Sequence, residues 1–388
     1  MGIDLMRILV VSSFFPPWRG GIETCVYNLT RHLRRRGNDV SVICANAPLA
    51  ARRETLGGVR LERLRIAGRI YGTPLLPELP FRLARESPDI IHANFPNPYN
   101  AFFASAVSRI RKIPALLTWH NDLPPVTRAA RTMVLTHDHL VLPLYLPQFR
   151  FIIATTEHYA RTSPVLMAQR DRVVVVENGV DTERFNPKVP GDEIRSRLNV
   201  DESKIVLFVG ALNRWHAYKG VDVLLDAIVL LKDQLPELKL LIVGGGELAT
   251  EYAQLARNLG ISDRVIFAGE VLDSELPKYY ASSDLLVLPS KDKSEGFGLT
   301  ILEANATGKP AIGTTVGGIP GIIRDGYNGL LVPPSNPRAL AEAIRIALED
   351  EDALRRMGKN GRTLAEQHDW SIVAEQTENL YKRTLAAQ

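Results

Sequence analysis

The chain has 388 residues, 45% of them hydrophobic and 23% charged, the make-up of a globular protein long enough for two cores of about 190 residues each, which excludes a disordered chain. No apolar run reaches the ~18 residues a membrane span needs, and Met1–Arg7 lacks the basic-then-apolar order of a signal peptide, so a cytoplasmic protein is expected. The net charge of +4 hides an asymmetry: residues 1–190 carry 25 Lys and Arg against 15 Asp and Glu, and the remaining residues carry 22 against 28. Cys25 and Cys44 are the only cysteines, which leaves neither a disulfide framework nor a thiolate metal site to expect.

In chain order, short apolar and β-branched runs alternate with amphipathic helical patterns. Arg7–Ser13, Val40–Ala45, Asp89–Ala93, Ala115–Thr118, Phe151–Thr155 and Val173–Glu177 read as buried parallel strands. A second series follows in Ile205–Gly210, Leu238–Val243, Val265–Ala268, Leu285–Pro289, Pro310–Thr314 and Leu330–Val332, with helices such as Val221–Leu235 and Ala339–Leu348 between them. The stretch Asn186-Pro187-Lys188-Val189-Pro190-Gly191 reads as a linker. The expected fold class is therefore α/β, two Rossmann-like doubly wound parallel-sheet domains over 1–188 and 189–369, with 370–388 as a final segment. The arginines at 31, 34, 35 and 36 sit at one helix end, and Arg52, Arg53, Arg60, Arg63, Arg65 and Arg69 follow. They suit an anionic membrane surface or a phosphate-bearing partner, or equally a solvated basic face complementing a helix C-terminus; no nucleic-acid partner is expected.

In doubly wound sheets ligands bind beyond the carboxyl ends of the strands, which directs attention to the strand-to-helix loops. After the first strand, Gly20-Gly21 opens a helix on which Ile22, Val26, Leu29 and Leu33 share a face; a glycine pair lets a phosphate approach the backbone and is also a common turn. His120-Asn121-Asp122 follows a strand, where a histidine reaches a reacting centre or simply satisfies a loop. Pairing it with His137-Asp138-His139 as a metal site lacks a third ligand at suitable spacing, and no metal is expected. The loop Ala211-Leu212-Asn213-Arg214-Trp215-His216-Ala217-Tyr218-Lys219-Gly220 sets two cations, Arg214 and Lys219, at the mouth of a helix that Asp222 is expected to cap, an arrangement suited to a diphosphate. Gly244-Gly245-Gly246 does not complete a G-x-G-x-x-G fingerprint, and that signal is weak.

The run from Glu295 through Gly296, Phe297, Gly298, Leu299 and Thr300 to Glu303 carries the most information. A helix starting near Gly298 offers its first amides to an anion, and eight residues of helical rise span ~12 Å, so two carboxylates bracket that anion. Glu295 then suits a sugar hydroxyl, the glycine amides a diphosphate, and Glu303 a ribose. The alternative is a solvated loop acid followed by an ordinary helix acid.

Taken together, Gly20-Gly21-Ile22-Glu23, Asn178-Gly179-Val180-Asp181, Lys219-Gly220, the three glycines at 244–246, Phe267-Ala268-Gly269, Glu295 to Ala304, Gly317-Gly318-Ile319-Pro320 and Asn328-Gly329-Leu330-Leu331-Val332 resemble the retaining glycosyltransferases of family 4 over almost the whole chain. The resemblance implies a GT-B fold in which two facing domains flank a cleft, the donor held by the C-terminal domain and the acceptor by the N-terminal one, with the segment from Trp370 crossing back and hinges near Pro187 and before Trp370. It implies catalytic roles for His120, Glu295, Arg214 and Lys219. It implies donor contacts from Gly20, Gly21, Arg214, Lys219, Val271, Glu295, Gly296, Phe297, Gly298, Leu299, Thr300 and Glu303. Many relatives carry an arginine where Ala211 stands, and Arg214 is its expected substitute. The implied reaction moves a hexose from a nucleoside-diphosphate sugar, of the GDP-mannose, UDP-glucose or UDP-N-acetylglucosamine kind, to a hydroxyl acceptor, with no cofactor or metal. The basic N-terminal half and the Pro-broken stretch Leu140–Phe149 suit a lipid-linked or phosphorylated acceptor and contact with the inner face of a membrane; core packing accounts for the latter stretch as well. Three alternatives stay open: a sugar-nucleotide epimerase of GT-B architecture, a nicotinamide dehydrogenase, which needs a complete dinucleotide fingerprint that the first loop lacks, and a non-catalytic nucleotide-binding module.

Overall fold

A computed structural model describes residues 5–70, 72–123 and 128–386. Residues 1–4 of the opening segment and 387–388 of the expected final segment lie outside the described residues. The chain divides into two compact units, residues 1–178 with 370–388, and residues 179–369.

The first unit holds an eight-stranded sheet. Its strands in chain order are β1 (Arg7–Val11), β2 (Asp39–Ala45), β3 (Arg53–Leu56) and β4 (Val59–Leu64), then, after the small hairpin β5 (Gly68–Ile70) and β6 (Thr73–Leu75), β7 (Ile90–Phe95), β8 (Ala115–Trp119), β9 (Phe151–Ala154) and β10 (Val173–Val175). The order across the sheet is β10-β9-β8-β7-β1-β2-β4-β3. All its pairings are parallel except that of β3 with β4. The order runs outward from β1 in both directions, so the switch point lies between β1 and β7. The apolar runs that mark β1, β2, β7, β8 and β9 are buried on both faces, as parallel strands between helical layers must be.

The strands β3 and β4 and the hairpin β5–β6 were not among the predicted elements. The β4 sequence Val59-Arg60-Leu61-Glu62-Arg63-Leu64 alternates as a half-buried strand does, but its arginines read as part of a basic surface run. The turn Gly57-Gly58, with both φ values positive, was the available signal for the β3–β4 hairpin. The structure also disposes of much of that run's charge. Arg63 is only 1% exposed and donates to the carbonyls of Ala51 at 3.1 Å and Pro16 at 2.6 Å while pairing with Glu54. Arg53 pairs with Glu62, Arg60 with Asp39, and Arg52 with Glu78. At the end of the helix Gly21–Arg35, Arg34 donates to the carbonyls of Gly58 and Asn38, and Arg36 meets Glu378.

The helix Trp370–Ala386 completes this unit. Its Tyr381 is fully buried, and the hydroxyl lies 2.6 Å from His92 Nδ1, whose Nε2 lies 2.7 Å from Thr118 Oγ1. Burial pulls the His92 imidazole down to about 4, so it is neutral at pH 7.

The second unit is a six-stranded parallel sheet. It comprises β11 (Lys204–Val209), β12 (Leu238–Val243), β13 (Val265–Gly269), β14 (Leu285–Leu288), β15 (Ala311–Thr314) and β16 (Gly329–Val332), ordered β13-β12-β11-β14-β15-β16. This is the doubly wound order of a dinucleotide-binding sheet, and its switch point lies between β11 and β14. The division between units falls at Asn178/Gly179, not at the predicted 188/189, because the intervening residues pack with the second unit. Val180 bridges to Asp369, and Phe185 meets the Tyr280 ring edge-on at 5.6 Å. The predicted helix Val221–Leu235 ends at Leu231, and Asp222 does not cap it; Gly220 holds the cap position while Asp222 accepts from Lys291 at 3.0 Å.

Replacing Tyr381 by Phe leaves His92 Nδ1 buried without its hydroxyl partner. The expected loss is about 1–3 kcal/mol, read as a lowered midpoint in urea or thermal unfolding.

Candidate functional site

In the second unit the residues after β11 and β14 flank the switch point, where Rossmann-like sheets place ligands. After β11 the chain makes a tight turn, Arg214–Lys219, whose cap Asn213 accepts from His216 N at 3.1 Å and holds His216 Nδ1 at 2.7 Å. The turn delivers Lys219, and its Nζ donates to Glu295 Oε2 at 2.7 Å. Ser290 Oγ, at the end of β14, donates to the same oxygen at 3.3 Å. The two side chains of the pair are 13% and 9% exposed, so the charges face each other largely out of water. Tyr218 lies beneath, its ring centroid 5.5 Å from the Lys219 ammonium, and burial lifts its phenol well above the ordinary value. Burial, then the Lys219 charge, pulls His216 down to about 4, keeping a second cation out of the cluster.

The Glu295 loop is held by backbone as well. Its carbonyl accepts from Gly318 N at 2.9 Å. A Cβ at Gly317, which has φ +59°, would meet that carbonyl oxygen at 2.0 Å, and one at Gly318 would meet the Gly296 oxygen at 2.3 Å. The glycine pair is thus the surface on which the acid loop rests.

Gly298, at φ +97°, caps the helix Leu299–Ala306. Ile301 N donates back to the Gly298 carbonyl at 2.9 Å. The amides of Leu299 and Thr300 open the helix ahead of any intrahelical acceptor, and Thr300 Oγ1 is buried without a hydrogen-bond partner. Only the second half of the Glu295–Glu303 interval is helical, so the expected ~12 Å of helical rise is replaced by a loop followed by one turn. Glu303, one turn in, accepts from Tyr280 Oη at 2.5 Å. Burial raises its carboxyl to about 7 against the lowering effects of Tyr280 and then Arg184. Arg184 itself pairs with Asp273 at 2.9 Å. Val271, in the loop after β13, is half-buried against the core.

Arg214 is not brought to this cluster. Its main-chain N donates to Glu247 at 2.9 Å and its exposed guanidinium to Glu251 at 2.8 Å, because it opens the turn and faces the helix Leu248–Asn258. The cation that the turn aims at Glu295 is Lys219, while Arg214 is held at Glu251.

In the first unit, Gly20 caps the helix Gly21–Arg35. A Cβ on Gly20 would lie 2.2 Å from Glu23 Oε2, so the Glu23 carboxyl folds over the glycine, and its burial raises it to about 7. His120 follows β8, its N donating to the Phe95 carbonyl and its Nε2 lying 3.0 Å from Asn94 Oδ1. Asn94 donates through Nδ2 to the Val11 carbonyl, which leaves its oxygen facing the ring. The network thus assigns the proton of His120 to Nε2 and the lone pair to Nδ1. Burial, then His92, pulls the ring down to about 3, so it is a neutral acceptor at pH 7. His137 is engaged elsewhere, between Asp138 and Tyr145.

Sequence reasoning did not single out Ser290, Tyr280, Arg184 or Asn94. Tyr280, Arg184 and Asn94 reach their partners across the fold, where no local spacing signals them, and Ser290 meets Glu295 five positions on.

Two parallel-sheet Rossmann-like units, each with its polar loops at a switch point, define a GT-B glycosyltransferase fold. The model of Glycosyltransferase Family 4 matches residues 19–184, and that of Glycosyl transferases group 1 matches residues 191–364. The chain belongs to the family 4 glycosyltransferases. It is 27% identical to the sulfoquinovosyl transferase SQD2 of Arabidopsis thaliana over 92% of this chain and 70% of the relative. It is 29% identical to the D-inositol 3-phosphate glycosyltransferase of Corynebacterium aurimucosum over 99% of this chain and 97% of that one. The crystal structure of Anabaena HepE in complex with UDP and glucose shares its fold at a TM-score of 0.77 and 22% identity, covering 97% of this chain and 99% of that chain.

Because Glu303 carries a raised pKa, its protonated form favours the folded state. That stabilisation is complete below about 4.5, the unfolded value, and is lost as pH rises through about 7. Glu303→Gln is therefore expected to unfold at a higher urea concentration than the native chain at pH 8 and at a similar one at pH 4, with the Tyr280 bond kept in both.

Proposed function

We propose that this family 4 glycosyltransferase transfers a hexose from a nucleoside-diphosphate sugar to a hydroxyl acceptor with retention of anomeric configuration and without a metal ion. The observation that carries this reading is the Lys219–Glu295 pair at the β11/β14 switch point beside the amides of the helix capped by Gly298. An ammonium and the amides of Leu299 and Thr300 that open the helix counter the negative charge that grows on a diphosphate leaving group, and they do so more in the transition state than in the ground state. Glu295 accepts from hydroxyls of the transferred sugar, and Glu303 from the ribose, with Tyr280 Oη as the donor it holds until then.

The reaction proceeds by front-face attack. The bond from the anomeric carbon to the diphosphate oxygen breaks as the acceptor oxygen bonds to the same face, and the acceptor's proton passes to the departing phosphate. Glu295 positions the sugar and is not a covalent nucleophile. His120, neutral with Nδ1 free to accept, orients a sugar hydroxyl, and Gly20 and Gly21 offer backbone to the phosphates. The relative named for D-inositol 3-phosphate supports a phosphorylated acceptor, for which the basic first unit is suited; the protein acts in the cytoplasm, against the inner face of a membrane when the acceptor is lipid-linked.

Melting-temperature shifts with a panel of UDP, GDP and ADP sugars identify the donor, because a ligand that binds only the folded state raises its stability. With that donor, Lys219→Ala and Glu295→Ala are expected to lower the turnover number by about 100- to 1000-fold, with Arg214→Ala within a few-fold of the native chain. Full turnover by Glu295→Ala sinks the assignment.

A further inference from the structure

Part of the first unit's positive charge without an ion-pair partner lies away from the arginine runs that dominate its sequence. At the starting edge of β8 and β9, beside Ala115 and Phe151, the surface opens into a groove of about 620 Å³. His120 follows the other end of β8, roughly 16 Å away along five residues of strand. The groove therefore belongs to the opposite edge of the sheet from the residues of the proposed reaction.

Arg109, Lys112 and Arg150 line it. All three are exposed, and among the described residues none of their side chains has an ion-pair partner. This contrasts with Arg36, Arg53, Arg60 and Arg63, which are all paired. The floor is fixed by Arg172, whose Nη1 donates to the carbonyls of Pro147 at 3.2 Å and Phe149 at 2.9 Å, so that its charge stays at the site while its geometry is locked. Lys112 sits at the end of the helix Pro98–Arg111 with φ +54°, a left-handed conformation that glycine or asparagine usually fills. A lysine held there carries a backbone cost and sets an ammonium on the rim. The one acid in the lining, Asp171, is exposed beside Arg170.

We propose that this groove binds a phosphate-bearing anion. Two guanidinium groups and an ammonium around one concavity match the oxygens of a phosphate, arginine by paired donors and lysine as a point charge. The group is supplied by a soluble phosphate or by the head group of an anionic lipid. The inference stands apart from the donor reading, since no residue of the reaction takes part.

The test compares the full chain with an Arg109→Gln/Lys112→Asn/Arg150→Gln variant, asparagine being chosen because it tolerates the left-handed position. One arm measures melting temperature in inorganic phosphate against sodium chloride of equal ionic strength. The other measures co-sedimentation with phosphatidylcholine vesicles containing about 30% phosphatidylglycerol against pure phosphatidylcholine. A phosphate-dependent rise in the native chain that the triple variant lacks identifies a soluble ligand. Partitioning to the anionic vesicles that falls about a hundredfold in the variant identifies a lipid head group. Asp171→Asn, which keeps every cation, is expected to strengthen whichever response is seen and covers the case of a misfolded triple variant. Equal behaviour of the native chain and both variants in both arms overturns the proposal, and it does so whether phosphate is silent or binds only at the Lys219 cluster.

Discussion

A lysine and a glutamate facing each other with little access to water give the second unit its character. Either charge alone in that position would carry a desolvation cost of several kcal/mol, and the pair is stable only because Lys219 and Ser290 both donate to one carboxylate oxygen. The partners come from loops on either side of the switch point, so the interaction joins the two strand ends that the topology leaves splayed. The surrounding glycines follow from it. Glu295 can stand at that height only if its backbone lies directly on Gly317-Gly318, where a side chain would collide with the carbonyl. In the proposed reaction, the diphosphate exchanges one partner of Lys219 for another, while Glu295 becomes available to sugar hydroxyls. On that proposal, recognition of the charged and the uncharged parts of one molecule is linked through a single ion pair.

Three glutamates show how one side chain is tuned by its surroundings. Glu295 has an ammonium at 2.7 Å. Glu303 has a phenol, and burial outweighs that bond, leaving the carboxyl poised to titrate near neutrality. Glu23 is folded back over a glycine with burial as the dominant influence, and it too moves to about 7. His120 is the counterpart among bases: buried with Asn94 as its partner, it stays uncharged.

The sheets were legible because a strand buried on both faces is apolar throughout, and most of the strands in each sheet met that condition. The edge hairpin β3–β4 was not, because its inward Arg63 is solvated by two carbonyls and a carboxylate, a tertiary arrangement that leaves a polar letter in a core position. Lys219, Glu295 and Glu303 stood out in the sequence as motif positions, but the helical spacing read between the two glutamates did not hold, because residues 295–298 form a loop. Tyr280 was invisible because it meets Glu303 from 23 positions away. Arg214 shows the converse: proximity to Lys219 in sequence does not survive a tight turn, which sends consecutive side chains in different directions and hands this one to Glu251.

The helix that carries Tyr381 has a bearing on how the molecule is born. Its hydroxyl meets His92 across 289 positions, whereas the second unit is contiguous from 179 to 369. As the polypeptide emerges from the ribosome, the domain begun first is therefore the last to be finished. Its sheet must wait, with the seat for Tyr381 unfilled, while the later domain is made entire, and the nascent chain passes through a stage in which one half is native and the other still shows apolar surface to its surroundings.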